Sequence, residues 1–365
     1  MRSNYKNLGE YIRPIDERNS DGSLGEDNLY GISVTKDFIV THANLVGVTF
    51  DSYKVVAPRQ FAYIPDTSRR GDKIAISLNT MGEKIIVSSI CTVFEIVDED
   101  QLLPEYLMLW FMRPEFDRYA RFMSNGSARE VFDWDSMCGV ELPVPSLPEQ
   151  RKIVHDYKVI TDRIELLRKI NENLVRQGVT AVQNKVQGSD RILPFDEIAT
   201  LFDFMRKPVA GADRANLAKI YPYYGAAALM DYIDEYIFDG VFGLIAEDGS
   251  VMDDDGHPTL QYVWGKFWVN NHAHIFQGKN GFSTETIYLL LKSAVIRDIV
   301  TGAVQLKVNQ ENLRSFKIPV PEEDDMESVE AFIQPLFSYL RENTDEIERL
   351  SQLADLHLKT IDKGA

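Results

Sequence analysis

Two stretches of this chain carry side chains whose types and spacing could do chemistry. In "NNHAH", Asn270 to His274, the histidines stand two apart, so on a strand His272 and His274 face the same side. Such a pair invites a metal or nuclease reading, but no third ligand stands at suitable spacing, and no metal is expected. "DDDG", Asp253 to Gly256, lacks the alternating carboxylates of a calcium loop. A Walker A loop, a glycine-rich dinucleotide fingerprint and the Asn/Asp-Pro-Pro-aromatic motif of an amino-methyltransferase are all absent. No catalytic residue is therefore assigned.

Binding chemistry is better represented. "DTSRRGDK" places Arg69, Arg70 and Lys73 beside a glycine turn, with Lys54 and Arg59 upstream. Arginine reads guanine and also clamps phosphate, so this cluster is a candidate DNA contact; the competing reading is a solvated loop. "GSAR" offers Ser127 and Arg129, and its counterpart further along offers Gln305 and Lys307. Arg206 and Lys207 are rare positive charges in an acidic half and are read as phosphate contacts. Tyr224 in "YPYYG" and the pair Asn271 and His272 could reach bases, with core packing and turn formation as their alternatives.

The chain has 365 residues, enough for two domains with proper cores. No run approaches the roughly 18 apolar residues of a membrane span, and the N-terminus lacks the apolar stretch of a signal peptide. Two cysteines without metal-type spacing point to a reduced, cytoplasmic protein. The net charge of −17 argues at first against nucleic acid. It is uneven, however: residues 1–190 hold 23 Lys and Arg against 28 Asp and Glu, the remainder 16 against 28. An acidic total leaves room for a basic face and suggests that the grip on DNA is shared with partner subunits.

These residues must be positioned by a duplicated scaffold. "GSAREVFDWDSMCGVELPVP", Gly126 to Pro145, and "GAVQLKVNQENLRSFKIPVP", Gly302 to Pro321, match in pattern at a constant offset of 176. "LGEYI" at Leu8 loosely resembles "FDEIA" at Phe195. After each "PVP" a long amphipathic helix is predicted, and the prolines keep it from running back into the domain. The first seam runs through Ile153, Tyr157, Ile160, Ile164, Leu167 and Leu174, with polar Asn171 among them. The second runs through Leu336, Leu340, Ile347 and Leu350, with Pro335 expected to kink the helix or mark its true start. "TDRIELL" at Thr161 and "TDEIERL" at Thr344 stand 183 apart, which predicts seven extra residues, one heptad, in the second copy. Around the helices, short β-branched and aromatic runs predict strands. "LPEYLMLWFMRPEFDRYARF" and "STETIYLLLKSAVIRDIV" predict helices, so each domain is α+β.

"LPVPSLPEQRKIV", "YPYYGAAALMDYIDEYIFDGVFGLIAEDGS", "GKFWVNNHAHIFQGKNGF" and "TGAVQLKVNQENLRSFKIPVP" together resemble the specificity (S) subunit of Type I restriction–modification enzymes, over almost the whole chain. The resemblance implies an α+β chain with two target-recognition domains, 1–147 and 188–321. Two long antiparallel coiled-coil helices, 148–187 and 322–365, separate them around a pseudo-two-fold axis. It further implies that each domain reads one half of a split site in double-stranded DNA. Two methyltransferase (M) subunits dock on the helices, and restriction (R) subunits can join. S-adenosylmethionine, ATP and magnesium then belong to the partners, whose complex would be a DNA adenine methyltransferase and site-specific endonuclease. A helix of about 36 residues spans roughly 54 Å, which sets an unread gap between half-sites. The acidic second half departs from the pattern, "EEDDM" standing where the first copy has "PSLPEQ". A scaffold that keeps the fold without DNA binding is the alternative.

Overall fold

A computed structural model describes residues 5–41, 47–67, 71, 73–125, 130–302 and 305–361. The chain divides into two units, Met1–Glu165 with Glu348–Ala365, and Leu166–Ile347. In the first, apolar runs bounded by turns form an antiparallel sheet in the order Ile12–Ile15, Thr92–Ile96, Phe61–Ile64, Ala75–Leu78. Its core stacks Phe61 on Phe94 at 4.8 Å, with Phe111 edge-on to Phe61 at 5.8 Å. Phe111 comes from the helix Pro104–Met112. The segment read as one helix is two, because Pro114 forces Arg113 out of the helical region, to φ −69 and ψ 137. The chain then re-enters a helix at Pro114–Met123.

The second unit is built on six strands, in the order Ala199–Leu201, Ala273–Gly278, Phe238–Ala246, Leu260–Val269, Tyr221–Tyr224, Leu229–Ile233. All neighbours are antiparallel except Tyr221–Tyr224, which lies parallel to Leu260–Val269. Gly243 faces the Phe276 ring so closely that a Cβ there would overlap it. The helix Thr284–Lys292, capped by the Ser283 hydroxyl accepting from Thr286 N–H, buries Ile287, Leu289 and Leu291.

The duplication is present in hydrogen bonds as well as in sequence. Strand Tyr5–Asn7 pairs antiparallel with Glu141–Pro143, and Ile192–Pro194 pairs in the same way with Lys317–Pro319. Asp133 caps a short helix by accepting from Ser136 N–H, and Asn309 caps its counterpart by accepting from Asn312 N–H. Leu8 N–H donates to Val140 O, as Phe195 N–H does to Phe316 O, each at 2.8 Å. Strands and caps 141–143/317–319 and 133/309 thus keep the 176-residue offset.

Two long helices run Leu147–Val186 and Glu323–Thr360, of 40 and 38 residues. Within the second unit they are antiparallel: Lys185 pairs with Asp325 at 2.6 Å, and Asn343 donates to Asn171 at 2.8 Å. Within the first unit, His357 Nε2 lies 3.1 Å from Ile153 O, and its ring packs against Tyr157 at 6.1 Å. Ile164 and Leu167 are buried, while Ile153, Tyr157, Ile160, Leu174, Leu336, Leu340, Ile347 and Leu350 are half-buried. The most covered apolar positions also include Phe337 and Leu358, which the seam omitted.

Two expectations about these helices need correction. Pro335 does not mark the start of the second helix, which begins at Glu323 and continues through it. The missing N–H frees the Ala331 carbonyl, and Ala331 is exposed, so water can take that bond. The second helix is also not a heptad longer. Gln150 Oε1 accepts from Leu103 N–H at 2.8 Å, and Glu330 Oε1 accepts from Ser283 N–H at 2.9 Å. These equivalent contacts, each at the start of a domain helix, shift the offset to 180. The "TDRIELL" and "TDEIERL" similarity is thus a local match and does not measure an insertion.

Candidate nucleic-acid interface

In both units the loops singled out by sequence spring from one end of the sheet. In the first, Phe132 N–H donates to Pro65 O at 2.9 Å, and Thr67 N–H to Glu130 O at 3.1 Å. Thr67 Oγ1 also bonds Ser124 Oγ at 2.8 Å. The stems of the "SRRGDK" and "GSAR" loops are therefore side by side. Arg69, Arg70, Ser127 and Arg129 themselves lie outside the described residues. In the second unit Val308 N–H donates to Glu247 O at 2.9 Å, the counterpart of the Phe132 bond. Asp248 bridges Lys307, as Asp66 bridges Val131.

Of the described candidates in the first unit, Lys73 is exposed. Lys54 is largely covered and pairs with Asp16 at 3.2 Å. Arg59, with a left-handed φ of 69, is held by Glu99 and by Glu105, each at 2.6 Å. The structure does not bring Lys54 or Arg59 into the loop cluster as free cations. Their acidic partners are 38 and 40 or more positions away, beyond the reach of local pattern.

In the second unit Arg206, His272 and Lys307 are brought together around two carboxylates. Arg206 Nη1 lies 2.6 Å from Glu247 Oε2 and also donates to Ala273 O at 2.8 Å. Lys307 Nζ lies 3.0 Å from Glu247 Oε1, and His272 Nδ1 lies 2.8 Å from Asp248. Lys207 is exposed, and its carbonyl takes the Trp268 indole N–H at 2.6 Å. Gln305 is exposed at the hairpin tip. Tyr224 is half-buried, its ring 5.9 Å from Phe267, so packing dominates its environment.

The layering here matters more than the total charge. The Glu247 and Asp248 side chains are 14% and 21% exposed, while those of Lys307 and His272 are each 49% exposed. Acid lies underneath while Lys307 and the His272 imidazole face out, so an acidic chain still turns basic side chains outward at this end. The run Asp253–Asp255 is exposed on the connection between strands Phe238–Ala246 and Leu260–Val269, where the Asp254 carbonyl receives the Arg297 guanidinium.

His272 and His274 do not converge on one ligand. His272 sits in a turn, whereas His274 is 1% exposed on the adjoining strand. His274 Nδ1 is 2.6 Å from Asp203 Oδ2 and Nε2 is 2.8 Å from Val308 O, so both ring nitrogens have a polar partner within the protein. Ligand atoms of Asp203, Glu247 and His274 lie within 4.8 Å of one another, a grouping that sequence spacing missed. Asp203 also accepts from Ile275 N–H at 3.0 Å and from Gln310 at 3.1 Å, which makes the group an internal tie. Burial pushes the Asp203 carboxyl up, but His274, the Ile275 N–H and Arg206 more than offset it, leaving it below its ordinary value. Glu247 is shifted the same way, burial being outweighed by Arg206, Lys307 and His274.

Compared with known proteins, the chain matches a family profile described as the Type I restriction modification DNA specificity domain, over residues 70–176 and 197–349. It is 32% identical over 148 residues to a putative type I restriction enzyme specificity subunit of Haemophilus influenzae, covering 40% of this chain and 37% of that protein. It is 23% identical over 305 residues to the type I restriction enzyme MjaIX specificity subunit of Methanocaldococcus jannaschii, covering 73% and 70%. The crystal structure of a Type-I restriction-modification system S subunit from M. genitalium superposes with a TM-score of 0.56 at 13% identity, over 98% of this chain and 95% of that one. Those relatives lend no support to a scaffold without DNA specificity.

Proposed function

The chain belongs to the Type I restriction modification DNA specificity family, and from that premise we propose that its two domains read the two different halves of an interrupted, asymmetric site in double-stranded DNA. Residues 1–147 and 188–321 are the two readers, and the long helices set the number of unread bases between them. The observation that carries this reading is the pair of equivalent loop stems, held by the Phe132–Pro65 and Val308–Glu247 bonds. Those stems stand on sheets of four and six strands, so one framework presents two dissimilar surfaces.

Lys73 and the loops at 68–72 and 126–129 contact DNA in the first domain. Lys207, His272, Gln305 and Lys307 do so in the second, while Arg206 holds the second cluster together from beneath. The family is the non-catalytic specificity component. Two methyltransferase subunits dock on the long helices, where Val159 and Leu356 are 54% and 56% exposed, and restriction subunits join the same assembly. Those partners bring S-adenosylmethionine, ATP and magnesium, and the complex methylates adenine and cleaves DNA. Among the described residues no helix is long and apolar enough to cross a membrane.

The test is methylome sequencing of a host with and without this gene. The reading predicts that one bipartite motif with unlike halves loses its methylation on deletion. A motif that is palindromic or uninterrupted would overturn it.

A further inference from the structure

We infer that Phe204 stacks on or wedges between bases of the second half-site, so that an aromatic ring shares the reading with the polar side chains around it. Phe204 is 82% exposed, and it stands on a one-turn helix, Asp203–Met205, at the loop end of the sheet. Its ring lies 6.4 Å from that of Phe202, at 28°, and its high exposure leaves most of the ring uncovered.

Everything beneath that ring is fixed. Asp203 is tied to His274, Ile275 and Gln310, and Arg206 N–H closes the turn on Asp203 O at 3.1 Å. The Arg206 side chain then anchors to Glu247 and Ala273, and Trp268 holds the Lys207 carbonyl. A phenyl group on a mobile loop could turn inward; this one is presented outward by a locked turn, at little further entropic cost on binding.

The surroundings say what it meets. A protein partner would be met by a contiguous apolar patch with a polar rim. The turn that carries Phe204 is tied to polar neighbours: exposed Lys207 follows it in sequence, and Arg206 bonds Asn271 O and shares Glu247 with exposed Lys307. A single ring among lysines and hydrogen-bonding side chains is the arrangement that meets nucleic acid, where the ring takes a base face and the lysines take phosphate. The inference rests on reading this loop cluster as a DNA interface and goes further by naming a contact that carries no charge.

The experiment uses the chain assembled with its methyltransferase subunits, a labelled duplex bearing the methylome-defined site, and a scrambled duplex. Phe204→Ala is expected to weaken target binding about 10- to 100-fold, with the scrambled duplex, the salt dependence, the melting temperature and the assembly unchanged. Phe204→Trp should bind within a few-fold of the parent. Target affinity within twofold of the parent for Phe204→Ala overturns the inference, as does loss of assembly or a lowered melting temperature, which would make the ring a protein contact or a packing group. Lys207→Ala separates the two levels. If it too leaves affinity and salt dependence unchanged, the DNA reading of the cluster falls; if it weakens binding while Phe204→Ala does not, only the role of Phe204 falls.

Discussion

Arg206 and Lys207 are adjacent cations with different surroundings. Lys207→Ala should weaken binding of the assembled complex to any duplex and lower the slope of log affinity against log salt by about 0.9, one phosphate's worth. Arg206→Ala should instead destabilise the second domain by roughly 3 kcal/mol, because it strands Glu247 and Asp203 under the surface without their guanidinium; denaturant titration reads it. The same carboxylates set an acid limit. Both are held below their ordinary values of 3.8 and 4.5, so their stabilisation is complete above those values and is lost as pH falls through the folded ones. Melting temperature should therefore drop steeply below about pH 4, and Asp203→Asn should flatten that drop while lowering stability at neutral pH. At this scale the sequence showed which residues carry charge but could not show their partners. His274 was legible as a histidine on a strand, yet Asp203 lies 71 positions away, and only the fold brings them together.

The helices were legible because a seam of period 3.5 and a proline-bounded start are local signals. Leu147 and Glu323 begin them within a residue or two of the expected places. What was not legible is their register, which depends on contacts 140 or more positions apart. Asn171, Asn343 and Thr344 form a half-buried polar knot there, with Asn171 Nδ2 3.2 Å from Thr344 Oγ1. Such a knot favours one register over its slips. Seven residues inserted after Asn171 alone would carry Lys185 past Asp325 and move Gly178 off Leu289, which packs so close that a Cβ on Gly178 would fall 2.8 Å from its methyl. That single insertion should lower the melting temperature and abolish methylation. Seven residues after Asn171 together with seven before Asn343 restore the pairing, and the methylated half-sites should then stand about three base pairs further apart. An active paired variant with an unchanged gap would show that the helices are not the ruler.

For the whole molecule, a net charge of −17 means that the outward basic side chains must work against the field of the rest of the chain. Alone, the chain should bind its target weakly and with little preference, and tight binding should appear only when methyltransferase subunits are added in a gel shift at physiological salt. Equal affinity with and without them would contradict this. The two-copy plan was legible from the Gly-to-PVP repeat, since framework contacts such as the Asp133 and Asn309 caps recur at a fixed offset. The unlike sheets between were not, because divergence there leaves no repeat to follow. The most direct test of two independent readers replaces residues 1–147 with the matching domain of a relative that has a different site, followed by methylome sequencing. One half of the motif should change while the other half and the gap stay as they were. Alteration of both halves would contradict the account.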